Sequence, residues 1–219
     1  MSLKNKRMNE INKQKEKRKE DILAAAIEVF KEKSIRSAKM TDIALKSEVG
    51  VATVYRYFKT KLDLVIEAVN WMCKEEMQLM LVPFEDDGYK SMNGFEQVSF
   101  ILKLFILLYE VYPDFVALLE QFDNYVVEEQ IGLEQLENYE KNIIDLKEIT
   151  FGAMERGKKD GSIKMDIDNN IFYTTITHSL MSLSQKLILR GNILKSDSEV
   201  NGKKQLALLI EMAEGYIKN

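Results

Sequence analysis

Breakers of helix and carriers of covalent chemistry are both scarce in this sequence. Only two prolines occur in 219 residues, Pro83 and Pro113. With Leu, Glu, Lys, Ile and Met common, so few breakers favour helix throughout, and the expected fold class is all-α. A single cysteine, Cys73, excludes an intrachain disulfide and suits a reducing compartment. A single histidine, His178, alongside that one thiol removes His-based nucleophilic triads and Cys/His zinc sites. No Gly-rich phosphate loop and no metal-ligand spacing appears. No enzymatic activity, metal or cofactor is therefore expected. Long apolar runs are missing as well. The most apolar stretch, Phe100 to Tyr109, is interrupted by Lys103 and is too short to span a bilayer. The Lys-rich start lacks the apolar segment and cleavage site of a signal peptide. The expectation is a cytoplasmic protein with no membrane partner.

What is present is a core-forming composition with a lopsided charge. Hydrophobic residues make up 46%, too many for a disordered chain. Residues 1–61 hold 16 Lys+Arg against 8 Asp+Glu, a net of +8, while the remainder holds 15 against 27, a net of −12. A basic head on an acidic body points to phosphate as the partner of the head alone. Within that head, residues 4–20 form a charge run: Lys4, Lys6, Arg7, Lys13, Lys15, Lys17, Arg18 and Lys19 against three glutamates. It reads as a solvated tail, or as an arm touching DNA backbone.

Helical periodicity begins at Asp21, where Ile22, Ala26, Ile27 and Phe30 share one face. That helix fades at Lys33-Ser34. Two short helices follow, about Lys39–Ser47 with Met40, Ile43 and Ala44 inward, and about Val51–Phe58. A fourth spans about Lys61–Leu81, capped by Thr60 with Asp63 as its capping-box partner. Pro83–Asn93 reads as a loop. Longer helices are expected at about Phe95–Tyr112, Asp114–Glu129 and Leu133–Lys159. Gly161–Asp168 alternates apolar residues like a strand, but with no second strand to pair with it reads as an extended linker. Asp168 or Asn169 caps a helix to about Arg190, stopped by Gly191-Asn192. Ser196 with Glu199 suggests a capping box ahead of a last helix ending near Ile217.

The segment Lys39–Phe58 carries the function. Two short helices meet through Ser47-Glu48-Val49-Gly50. Ala44 is small enough for close approach, Val49 plugs the turn, and Val54 and Phe58 face inward. The other face presents Val51, Ala52, Thr53, Tyr55, Arg56 and Tyr57. A helix entering the major groove needs short side chains where its backbone comes close and hydrogen bonders at the rim. Val51, Ala52 and Thr53 meet the first need. Tyr55, Arg56, Tyr57 and Lys61 meet the second through phosphates or, for Arg56, a guanine edge.

Ile22-Leu23-Ala24-Ala25-Ala26-Ile27-Glu28-Val29-Phe30, then Met40-Thr41-Asp42-Ile43-Ala44, then Thr53-Val54-Tyr55-Arg56-Tyr57-Phe58 with Lys61 resembles the tetracycline-repressor (TetR) family in order and spacing. The likeness covers about fifty residues. It implies an N-terminal three-helix helix-turn-helix domain followed by a larger helical domain for ligand binding and dimerisation. It implies a homodimeric transcriptional repressor that leaves double-stranded DNA when a small-molecule effector binds. Lys39 and Thr41, opening the second helix, join Val51–Thr53, Tyr55–Tyr57 and Lys61 as expected DNA contacts. The family usually has glycine where Ser34 ends the first helix and where Glu48 stands in the turn, a conformation glycine adopts more freely.

The expected organisation is a basic flexible arm over 1–16, a DNA-binding domain over 17–77 and a sensing and dimerising domain over 78–219. Helices at about 168–190 and 200–217 are expected to pair with their copies as a four-helix bundle. A two-fold dimer then predicts an inverted-repeat operator. Trp71, Met72, Phe105, Tyr109, Phe122, Tyr125 and Phe151 are candidates for an apolar effector pocket, although ordinary core is the better reading for any single one of them. Cys73 reads as packing, and His178 as a core or interface residue. Two other classes stay open: an enzyme on a helical bundle, and a DNA-binding interaction protein whose C-terminal half only dimerises or recruits a partner.

Overall fold

The computed structural model describes residues 3–191, 193, 195 and 199–219, with side chains throughout except at positions 3, 4, 77–80, 138 and 141–145. Among the described residues the regular structure is helical, with one isolated antiparallel bridge between Ile163 and Lys218. By contacts the chain divides into two compact units, Met1–Glu76 with Gln121–Tyr139, and Met77–Glu120 with Glu140–Asn219.

The first unit is built on α1 (Leu3–Lys33), α2 (Met40–Lys46), α3 (Val51–Tyr57) and the first part of α4 (Lys61–Leu81). Residues 3–16, read from sequence as a flexible arm, are helical and continuous with the packed part of α1. Periodicity does not reveal this stretch because residues 5–16 bury nothing. Ile22, Ala26, Phe30, Ile43, Val54, Phe58, Leu64 and Ala68 make the core that joins α1 to α4. The expected capping box of α4 is present: Asp63 donates its backbone amide to the Thr60 hydroxyl at 3.0 Å, and the Thr60 amide donates to the Asp63 carboxylate at 3.0 Å. Gln121–Tyr139, placed by sequence in the second domain, joins this unit through side chains that sequence spacing cannot pair. Ile35 donates its amide to the Gln121 side chain at 3.0 Å, and Phe122 meets Tyr139 edge-on.

Both positions where a glycine would suit the helix ends are left-handed. Ser34 has φ +69° and Glu48 has φ +54°. Beyond α2 the Val49 amide reaches the Ala44 carbonyl and the Glu48 amide reaches that of Leu45. This is a helix stop that requires its penultimate residue to turn left-handed. A side chain there costs about 1–2 kcal/mol, offset in part by the chain entropy that glycine loses on folding. Glu48→Gly is therefore expected to stabilise the protein by about 1 kcal/mol. Ser34→Gly should gain less, because the Ser34 hydroxyl accepts from the Ser37 amide at 3.4 Å. Urea unfolding of both variants checks this, and a loss of stability in Glu48→Gly overturns it.

The second unit holds the rest. Val82–Glu85 is a 3-10 turn and α5 (Asp87–Ser91) a short helix, so the expected loop over 83–93 is structured instead. Asp86 caps α5 by accepting from the Gly88 amide at 2.6 Å. Then come α6 (Gly94–Val111), α7 (Pro113–Glu128, whose first half belongs here), α8 (Leu133–Asp160), α9 (Asn169–Arg190) and α10 (Gly202–Ile217). α6 packs on α9 and α10. The segment read as an unpartnered linker has a partner: the Lys164 amide donates to the Ile217 carbonyl at 3.0 Å, with Ile163 and Ile167 buried. That pairing joins residues more than fifty positions apart, beyond the reach of periodicity. Asp168 caps α9 by accepting from the Ile171 amide, and Gly191 ends it at φ +44°. Asn201 caps α10; Ser196 and Asn192 lie outside the described residues.

Candidate nucleic-acid interface

α2 and α3 form the helix-turn-helix, and their orientation follows from which side chains are buried. Val54 is 0% exposed and Phe58 1%, so α3 is pinned by those two. On the same helix Val51 is 36% exposed and Tyr55 49%, with Ala52 and Arg56 also exposed. Thr53 and Tyr57 are half-buried along the edges. The expected reading face of α3 is thus presented to solvent, with small side chains at its start and a cation at its end. The Arg56 guanidinium lies 5.7 Å from the Tyr57 ring.

Ion pairs hold α2 against α1. Lys33 donates to Asp42 at 2.8 Å and Lys46 to Glu32 at 2.7 Å. The Lys33 hydrogen bond, with help from the Lys39 amide, holds the Asp42 carboxyl below its ordinary range. Both pairs are exposed, so each contributes little stability. Asp42 accepts from the Lys39 amide at 3.0 Å, which leaves Lys39 exposed at the helix start with Thr41 beside it. Lys61 is placed differently from the other expected contacts. Its ammonium donates to the Arg36 carbonyl at 2.9 Å and sits 5.8 Å from the Tyr125 ring. Burial pulls its pKa below the usual lysine value, against the opposing pull of Glu129. Meeting a phosphate would require Lys61 to leave that carbonyl. Lys59, exposed directly after Phe58, is a cation beside α3 that sequence reasoning passed over; its only signal was its position.

The seven candidate pocket side chains divide between the units. Trp71, Met72, Phe122 and Tyr125 belong to the first, where Met72, Phe122 and Tyr125 are buried. Phe105, Tyr109 and Phe151 belong to the second. There Phe105 is buried, Tyr109 packs where Gly202 leaves room for it, and Phe151 meets Tyr173 edge-on at 6.0 Å. Two described surface grooves of the second unit lie elsewhere. One of about 590 Å³ is lined by Val82, Tyr89, Met92 and Phe100, the other of about 600 Å³ by Gly152, Arg156 and Lys159. Cys73 is buried, which pushes its thiol pKa up to about 12, with Asp123 adding to the effect. His178 is exposed on α9. Among the described residues no group of three His, Cys, Asp or Glu side chains is placed to hold a metal ion, and no helix is long and apolar enough to cross a membrane.

Residues 22–68 match the family described as bacterial regulatory proteins, tetR family. Over 59 residues the chain is 41% identical to the HTH-type transcriptional regulator LuxR of Vibrio harveyi, covering 27% of this chain and 29% of that one. That match spans less than a third of the LuxR regulator's length. The chain is 29% identical over 161 residues to the fatty acid metabolism regulator protein of Bacillus subtilis (strain 168), covering 71% and 76% of the two. Among solved structures, the transcriptional regulator FadR from Bacillus subtilis in complex with stearoyl-CoA shares the fold. It aligns at a TM-score of 0.64 and 19% identity, covering 90% of this chain and 98% of that one.

Proposed function

We propose that this chain, whose residues 22–68 match the tetR family of bacterial regulatory proteins, is a homodimeric, sequence-specific repressor of transcription. It holds double-stranded DNA at an inverted-repeat operator and leaves it when a small apolar or amphipathic effector binds. One observation carries the reading: α3 is anchored by Val54 and Phe58 while Val51, Ala52, Tyr55 and Arg56 stand exposed on its other face. That is the geometry a helix needs to enter a major groove. Lys39, Thr41, Thr53, Tyr57 and Lys61 complete the proposed contact set, with Lys61 turning outward from the Arg36 carbonyl.

Dimerisation is supported by exposed apolar side chains on the last two helices. Ile171 and Leu189 are exposed on α9, and Leu208, Met212 and Tyr216 on α10, the last three at four-residue spacing. Apolar stripes of this kind seek a partner, and two-fold symmetry is the commonest closure. An amphipathic effector is supported by the stearoyl-CoA bound to the Bacillus subtilis regulator. Equilibrium linkage requires operator and effector to weaken each other by the same factor.

Selection of bound sequences from random DNA at a stated salt concentration tests the reading. The expected product is an inverted repeat with half-site centres about 34 Å apart or a multiple of that; a strictly asymmetric site overturns it. Two variants then separate base reading from phosphate holding. Arg56→Ala should lose roughly 1–3 kcal/mol on the selected site and relax preference at one position. Tyr55→Phe should weaken selected and random DNA about equally. Equal weakening of both by Arg56→Ala would move Arg56 to the phosphate class.

A further inference from the structure

The DNA-binding reading leaves one exposed feature unused, the N-terminal half of α1. From Asn5 to Arg18 every residue is exposed, including Met8 and Ile11. A helix this long with nothing buried is marginal by itself. It persists here as a continuation of the packed turns from Ile22 to Phe30. Its faces are chemically distinct. Arg7, Met8, Ile11, Lys15 and Arg18 follow one another at helical spacing and run on into Ile22, Ala25, Ala26 and Val29, one edge of a buried side that also includes Leu23, Ile27 and Phe30. All three glutamates of the extension, Glu10, Glu16 and Glu20, lie outside that stripe, Glu16 and Glu20 in line with Leu23 and Ile27, interleaved with Lys6, Lys13 and Lys17. The stripe is therefore purely cationic and apolar, and the rest of the extension is charge-balanced.

We infer that this stripe, Arg7, Met8, Ile11, Lys15 and Arg18, is a second DNA-contacting surface that lies along phosphates flanking the operator. The inference rests on the DNA-binding reading of α3 and adds to it a site outside the helix-turn-helix. Charge complementarity selects the occupant. Arg7 to Arg18 covers about 16 Å of helix axis, and a DNA strand carries a charge about every 3.4 Å along its axis, so three cations find three phosphates within that reach. A second copy of the stripe is disfavoured, because two apolar residues make no coiled-coil seam and the cations would face cations. A lipid surface is disfavoured because the same two side chains offer little apolar area to bury. Continuity decides in favour of DNA: the stripe belongs to the helix that packs on α2, so it is part of the unit that presents α3.

Two full-length variants that remove equal charge test the inference. One carries Arg7→Gln, Lys15→Gln and Arg18→Gln; the other carries Lys6→Gln, Lys13→Gln and Lys17→Gln. Binding to the selected operator is measured across salt concentrations. The variant in the stripe is expected to lose two to three units of log-log salt slope per subunit, about 0.9 for each phosphate released, with base preference kept. The variant outside the stripe should lose less than about one unit on the same scale. Ile11→Glu, which adds an anion to the stripe without touching the core, should weaken binding as the stripe variant does. Equal losses from both faces, or no loss from either, overturn the inference while the DNA-binding reading stands. So does binding to phosphatidylserine vesicles that needs Arg7, Lys15 and Arg18 when the DNA slope does not. Failure of the wild-type chain to bind any duplex sinks both readings together.

Discussion

Gly94→Ala is expected to be the most damaging conservative substitution in the second unit. Gly94 opens α6 where that helix crosses α8, and a Cβ there would fall on the backbone of Gly157 and 2.5 Å from the Ala153 carbonyl. Backbone cannot rotate aside as a side chain does, so the two helices must part. Parting them also breaks the polar anchoring of the α6 N-terminus. The Gly94 amide donates to Asp160 at 2.8 Å, and the Phe95 amide to the Ser162 hydroxyl at 3.1 Å. These two bonds satisfy amides that a helix start otherwise leaves open. Overpacking costs typically 1–3 kcal/mol, and a clash with backbone belongs at or above the top of that range. A fall in Tm of about 10 °C is the expected size for a unit of this length.

The control sits on the facing helix. Gly152, on α8, has nothing within 4 Å of where its Cβ would lie, so Gly152→Ala should raise stability by up to about 1 kcal/mol through helix propensity alone. Scanning calorimetry of both variants gives the comparison. Similar melting of Gly94→Ala and wild type would mean that α6 and α8 do not meet as described.

Legibility in the sequence tracked how local the determinants were. α4 was readable to its ends because Thr60, Asp63 and its apolar stripe lie within one stretch of chain. The left-handed positions Ser34 and Glu48 were readable only through the resemblance to a family that usually has glycine at both. The start of α1 was not readable, because residues 5–18 have no buried side to set a period. The Ile163–Lys218 bridge was invisible because its partner lies at the far end of the chain. The same limit governs the candidate site. Val54 and Phe58 inward with Tyr55 and Arg56 outward is a matter of helical phase, and phase is written in spacing. That the Lys61 ammonium would rest on the Arg36 carbonyl, and that the seven pocket candidates would fall into two units, depended on tertiary neighbours that spacing does not name.

Operator affinity is expected to fall by about 10³–10⁵ between 50 and 200 mM salt, the loss for a dimer making six to ten phosphate contacts. Net charge does not give this result. Residues 1–61 carry +8, but residues 62–76 carry −3 and residues 121–139 carry −5, so the first unit as folded is neutral. Two of those acids are held beside cations they offset: Glu128, at the end of α7, pairs with Arg36 at 3.4 Å, and Glu129, just beyond it, acts on Lys61. A neutral unit exerts a weak field at distances beyond the Debye length of about 8–10 Å. Its hold on DNA is then expected to come from cations in direct contact, here the proposed contacts of α1 and α3 with Lys39 and Lys61. Counterion release counts those contacts and not the distant sum. Glu129→Gln, which raises the unit's charge without adding a cation, should therefore leave the salt slope almost unchanged. Fluorescence anisotropy of labelled operator across a salt series measures both quantities. A wild-type slope shallower than about 2 would mean that few phosphates are engaged, and a large increase in slope from Glu129→Gln would mean that net charge, not contact, sets the affinity.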